Sequence, residues 1–218
     1  MPTSTLYLSR ACLSLATGLA YLLPALVAYR RGLWFVAVAA ALLTLGNLLF
    51  HSIRSAHGGL PAWPRQFDVA AMWMLSGALA GALVHPVATV LLGVGLAAYY
   101  LVVLNTALLG RVYDLWTSRD LPILLCLTIM GGLGHAIFEG TWLDGLYVLG
   151  AAALFGIGFL CGVDSERIYS EATNGMRGLP REVASHVPLG LDGVYADVFH
   201  ALWHVLTAVA IALFIYSL

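Results

Sequence analysis

The sequence predicts an all-α integral membrane protein with seven transmembrane helices, its N-terminus cytoplasmic and its C-terminus outside. Three observations lead there. Of the 218 residues, 61% are hydrophobic and 10% charged, and the mean hydropathy is +0.91. A water-soluble domain carries about 25% charged residues, so lipid is the solvent in which this composition is stable. Seven apolar runs reach or approach the roughly 20 residues that a helix needs to cross the hydrocarbon layer. The arginines, finally, divide unequally between the two sides that these runs define.

The runs fall at residues 6–29, 33–53, 68–84, 87–109, 121–137, 142–163 and 194–216. The first has no basic stretch ahead of it and is long enough to remain a helix, so it is not read as a signal peptide. Arg30-Arg31-Gly32 separates it from the second, His57-Gly58-Gly59 lies between the second and third, and His85-Pro86 makes a tight turn before the fourth. The third and fifth runs are the short ones. Gly178-Leu179-Pro180 marks the sixth connection, residues 164–193, which is the long loop and holds the largest share of the acidic residues. No internal repeat or low-complexity tract divides the chain, so residues 1–218 are read as one seven-helix domain. The tryptophans fall mostly near run ends, where amphipathic rings anchor at the membrane surface; Trp203 is the exception and is expected to pack against a neighbouring helix. Cys12, Cys126 and Cys161 are separated within apolar runs and are read as packing thiols.

With seven spans, the N-terminus shares a side with the second, fourth and sixth loops. Arg10, Arg54, Arg65, Arg111, Arg119, Arg167, Arg177 and Arg181 fall there, against Arg30 and Arg31 on the other side. The positive-inside rule makes the first side cytoplasmic. A net charge of −1 excludes a nucleic-acid partner, because phosphate neutralisation needs a basic surface.

That orientation groups the chemistry. His51 ends the second run, Asp68 opens the third from the same side, and His200 and His204 lie two to three turns into the seventh. His200-Ala-Leu-Trp-His204 puts two imidazoles on one helix face, the arrangement by which helical sites offer two ligands to one metal. His51 is the best-placed third ligand by depth, and His57 a weaker substitute. Three histidines leave a fourth position open, the pattern of a catalytic zinc ion, where a bound water acquires a pKa of about 7. Asp68 can then orient that water or take its proton. Histidines paired with each other or with backbone carbonyls are the bland alternative. Elsewhere, His135 and Glu139 are read as a helix-end pair, Asn105 as bonding across helices, and His85 as having no chemical role. Asp192 and Asp197 flank the start of the seventh run, as caps or, for Asp197, as a partner behind His200. No Gly-x-Ser-x-Gly elbow supports a serine nucleophile. Gly131-Gly132-Leu133-Gly134 is read as a close helix approach and not as a phosphate loop.

Two stretches resemble the CREST superfamily: Asn47-Leu-Leu-Phe-His51 followed by Asp68, and Phe199-His-Ala-Leu-Trp-His-Val-Leu-Thr207. That superfamily gathers alkaline ceramidases, progestin and adipoQ receptors with bacterial haemolysin-like relatives, lipid-remodelling proteins of the GPI-anchor pathway, and the myomaker group. Its pattern is Ser-x-x-x-His ending the second helix, an aspartate opening the third and His-x-x-x-His in the seventh. The resemblance implies His51, His200 and His204 as zinc ligands and Asp68 as the partner of the zinc-bound water. It also implies hydrolysis of a lipid amide or ester whose substrate enters sideways from the bilayer. The family's serine falls on Asn47, an amide that can still hydrogen-bond to a water or an intermediate. The seventh-helix segment is similar to that of the ceramidases and lipid-remodelling proteins, which also carry Trp before the last histidine. Residues 1–10 hold no carboxylate, unlike the acidic calcium-binding N-terminus of animal alkaline ceramidases, and no branch is assigned. Two other readings stand beside the hydrolase. One is a receptor or membrane-remodelling protein with a structural zinc; the other is a membrane haem protein with axial histidines. Oligomeric state is not legible, since no helix face is marked as an interface.

Overall fold

The computed structural model describes residues 13, 16–56, 63–104, 120–174 and 190–218. Among them the chain is helical throughout, and seven α-helices follow in order. These are α1 (Leu22–Arg30), α2 (Trp34–Ala56), α3 (Trp63–Ala82), α4 (Pro86–Tyr99), α5 (Asp120–Phe138), α6 (Trp142–Asn174) and α7 (Gly190–Ser217). A 3₁₀ turn, Leu19–Tyr21, precedes α1, and a π turn, Tyr100–Leu104, continues α4. The first run is thus not a uniform helix. Pro24 is fully buried and has no N–H to return to the carbonyl four residues back, so the chain tightens to i→i+3 bonding just before it.

The short connections are written in local chemistry. Arg31-Gly32 closes α1 as a Schellman turn: Gly32 N–H bonds Tyr29 O at 3.0 Å, Leu33 N–H bonds Ala28 O at 2.9 Å, and Gly32 takes the left-handed φ of 75° that such a turn requires. His85, expected to be inert, has a structural role. Its Nδ1 accepts from Val87 N–H at 3.1 Å and caps α4, whose first residue is Pro86. Between α5 and α6, Asp144 Oδ2 accepts from the backbone N–H and hydroxyl of Thr141 at 2.6 and 2.8 Å, and Asp144 N–H returns to Thr141 Oγ1 at 3.4 Å. That is a reciprocal capping box.

Three boundaries differ from expectation. Helix α3 starts at Trp63, five residues before Asp68, because polar residues at a helix start cost a hydropathy pattern but not a helix. Helix α6 runs on to Asn174, well past residue 163, since the polar segment there contains no Gly or Pro before Gly175. Helix α7 starts at Gly190 and not at residue 194, so Asp192 lies within it and not ahead of it.

Four segments are long and apolar enough to cross a membrane: Trp34–His51, Pro86–Val103, Trp142–Val163 and Asp197–Ser217. Helix α5 contributes a shorter apolar stretch, Cys126–Phe138. The distribution of size fits a lipid environment. Small residues fill the interior, among them Ala28, Ala39, Ala40, Ala78, Ala208 and Ala210, while Leu91, Val102, Met130, Leu149 and Leu160 stand outward. Without a hydrophobic drive between helices in lipid, close packing of small residues holds them together. Helices α1, α2, α3, α5, α6 and α7 contact one another in a closed circuit, and α4 lies outside against α3. At that last seam Gly77 and Gly81 lie one turn apart, and a Cβ on either would land on the α4 backbone at Leu92 or Ala88. Gly132 likewise lies against Phe214 and Val148, as expected of the glycine cluster in α5.

Trp34 and Trp142, 62% and 78% exposed, open their helices, whereas Trp73 is buried at mid-helix with its ring 6.2 Å from that of Tyr99. Trp73 therefore joins Trp203 as an exception to the interfacial pattern. Trp203 packs edge-on against Phe155 and Phe159 of α6. Cys161 is half-buried, but Cys126 is exposed on α5, so it is not an interior packing thiol. Cys12, His57, Asn105 and Trp116 lie outside the described residues.

Candidate metal centre

Helix α7 carries His200 and His204 one turn apart, and His51 lies near the end of α2, one turn after Asn47. The packed bundle brings all three imidazoles to one point. Ring centroids are 5.3 Å apart for His51–His200, 5.4 Å for His51–His204 and 4.5 Å for His200–His204. One ring nitrogen from each lies within 4.8 Å of the others, with His51 and His204 buried and His200 half-buried. This is a group able to hold a metal ion. Two nitrogens on one zinc at about 2.1 Å each stand at most about 4.2 Å apart. A pair at the full 4.8 Å would therefore have to draw in by about half an ångström or more to share one ion. Three neutral nitrogen donors suit zinc and its late first-row neighbours and disfavour calcium or magnesium, which take oxygen.

His204 is met by a polar side chain at each ring nitrogen. Thr17 Oγ1 meets its Nδ1 at 3.2 Å, and the Asn47 amide Nδ2 meets its Nε2 at 3.2 Å. The ring edge of Tyr21 lies against it, centroids 5.9 Å apart. Tyr21 is fixed in turn: the Thr207 hydroxyl donates to Trp203 O at 2.6 Å, so it accepts from the Tyr21 hydroxyl at 2.8 Å. Asn47 needs room as well as a partner. A Cβ on Gly18 would clash with Asn47 Oδ1, so a larger residue there would displace the Asn47 amide from its present position.

Asp68 stands half-buried near the start of α3, and its backbone abuts α2. A Cβ on Gly46, next to Asn47, would fall 2.9 Å from the Asp68 Cα. Asp197 is buried on α7 one turn before His200. His135 Nδ1 and Glu139 Oε2 are 3.6 Å apart at the end of α5, the histidine half-buried and the glutamate exposed.

The expected residues His51, His200 and His204 thus converge, Asn47 contacts a candidate ligand directly, and Asp68 lies against Gly46, the residue before Asn47. Sequence reasoning missed Thr17, Gly18, Tyr21 and Thr207. A signal existed for two of them: Thr17 and Tyr21 are polar residues four apart in an otherwise apolar run. Comparison of this chain with models of known families, with curated proteins and with solved structures finds no match.

Proposed function

We propose that this chain is a zinc-dependent hydrolase of the CREST type, crossing the bilayer seven times with its N-terminus cytoplasmic, and cleaving an amide or ester in a membrane lipid that enters from the bilayer. The observation that carries the reading is the convergence of His51 with His200 and His204 across two helices. A zinc ion held there supplies a Lewis acid for an acyl carbonyl and lowers the pKa of water from 15.7 to about 7.

The chain's own residues do the rest. His204 Nε2 has one lone pair, which cannot serve the Asn47 amide and a metal at once. With that lone pair on a metal, the Asn47 N–H would be left without its present acceptor at the edge of the site. There it can donate to an oxygen on which charge develops. Asp68 is assigned to take the proton of the attacking water and hand it to the leaving amine nitrogen or alcohol oxygen.

The test is elemental analysis of the purified protein, joined to acyl release from a panel of ceramides, phospholipids and acylated amines. Zinc near one equivalent and acyl release lost in Asp68→Ala are expected. Bound zinc without cleavage of any lipid removes the hydrolase reading, full metal occupancy in His200→Ala removes the ligand set, and a Soret band in place of zinc points to haem. A second reading, a receptor or membrane-remodelling protein with a structural zinc, is favoured by one observation: the family's serine position holds Asn47, and its amide is bonded to a ligand imidazole.

A further inference from the structure

We infer that Thr17, from the segment preceding α1, is the positioning residue that makes His204 a metal ligand, by holding its ring in the tautomer whose Nε2 lone pair faces His51 and His200. The inference rests on the metal centre proposed above and adds to it a residue outside the histidine and aspartate set.

The argument counts protons. A threonine hydroxyl has one hydrogen and can accept at its oxygen. The Thr17 hydroxyl donates to Leu13 O at 2.9 Å, the i−4 carbonyl of its own helical turn. Its contact with His204 Nδ1 at 3.2 Å must then run the other way, with Nδ1–H as donor and Oγ1 as acceptor. A neutral imidazole with hydrogen on Nδ1 has none on Nε2. The second contact agrees independently: the Asn47 Nδ2 amide can only donate, so Nε2 accepts. Two separate hydrogen bonds, from two different segments, therefore assign one tautomer.

That tautomer is the one a metal requires. Metal-bound histidines commonly donate their remote ring N–H to a carboxylate, carbonyl or water, and removing that acceptor costs about 10–100-fold in metal affinity. In His204 a threonine oxygen takes this place, backed by a helix carbonyl that occupies its proton. The Thr17 hydroxyl is thus a relay that turns a backbone carbonyl of its own segment into an acceptor for an imidazole on the neighbouring helix α7. Tyr21 touches the same ring by its edge and not at a nitrogen, so it serves as an internal control.

The test uses the full chain in lipid nanodiscs, with two readouts. Zinc affinity is measured by competition with a chromogenic chelator, and ¹⁵N shifts of labelled histidine report the tautomer in the metal-free protein. Thr17→Val, which keeps the shape and removes the acceptor, is expected to weaken zinc binding about 10–100-fold and to lose the Nδ1–H signature of His204. Thr17→Ser is expected to bind within about twofold of wild type, and Tyr21→Phe to retain the tautomer. Should Thr17→Val fail to fold, Thr17→Ala and the wild-type spectrum make the same comparison. Unchanged affinity in Thr17→Val, or an Nε2–H signature for His204 in the wild type, overturns the inference. A wild type that binds no zinc overturns the proposed function instead, and the metal-free spectrum still decides for or against Thr17.

Discussion

Asn47 has two duties that can be separated by substitution. Its amide bonds a ligand imidazole in the structure, and in the proposed reaction it is released to an oxygen that gains charge. Removing such a donor costs about 10²–10³ in rate, so Asn47→Ala is expected to lower acyl release by that factor with zinc content unchanged. Asn47→Ser, which restores a short donor, should keep at least a tenth of the wild-type rate; equal losses in both variants would falsify the donor role. Asp68 is testable in the same assay. Proton transfer by a positioned side chain contributes about 10²–10⁴-fold, and Asp68→Asn, isosteric but unable to accept that proton, should lose this much while retaining the metal. Loss of zinc in Asp68→Asn would instead mark Asp68 as holding the α2–α3 seam at Gly46.

At the scale of elements, the seam between α3 and α4 depends on Gly77 and Gly81. A methyl at either position meets α4 backbone and not a side chain that can rotate away, so the helices must separate. Overpacking of this kind costs about 1–3 kcal/mol. Gly81→Ala is accordingly expected to lower unfolding stability by that amount in a denaturant titration. Gly95→Ala, on α4 with open space around it, should be neutral or mildly stabilising, because alanine is the better helix former. Equal effects from the two would show that helix propensity and not close approach governs the seam. The Gly77-Ala-Leu-Ala-Gly81 spacing was legible in the sequence as a small-residue pair one turn apart. Which neighbour it would meet was not, since such a pattern specifies closeness and not a partner.

For the whole molecule, the candidate metal ties the end of α2 to the middle of α7, two helices far apart in sequence. Ligand binding to the folded state alone adds about 2.7 kcal/mol at a hundredfold excess over Kd. At roughly 2–4 °C per kcal/mol for a chain of this size, chelation should lower Tm by about 5–10 °C. The same treatment of His51→Ala should change nothing. Orientation is also a property of the whole. In a variant with the three native cysteines replaced by serine, Glu139→Cys is expected to react with a membrane-impermeant maleimide added outside intact cells. Labelling only after the membrane is opened would invert the proposed topology.

The apolar character of the chain, its helical class and the two-histidine face of α7 can all be read from the sequence. These depend on local quantities: the fraction of apolar residues, the length of apolar runs and the 3.6-residue period that stacks His200 over His204. Local capping also lies in the sequence, as Thr141 with Asp144 shows, because the groups involved are three residues apart. Only the tertiary structure decided that His51 completes the cluster, that Thr17 and Asn47 hold His204 from opposite ring nitrogens, and that Trp73 turns inward. The difference follows from how apolar the chain is. In water, a polar face and an apolar face tell a helix which side to bury; in a chain this apolar both faces read alike. The choice of face then passes to the fit of small residues between helices, as at Gly18 against Asn47, and that fit exists only once the helices have met.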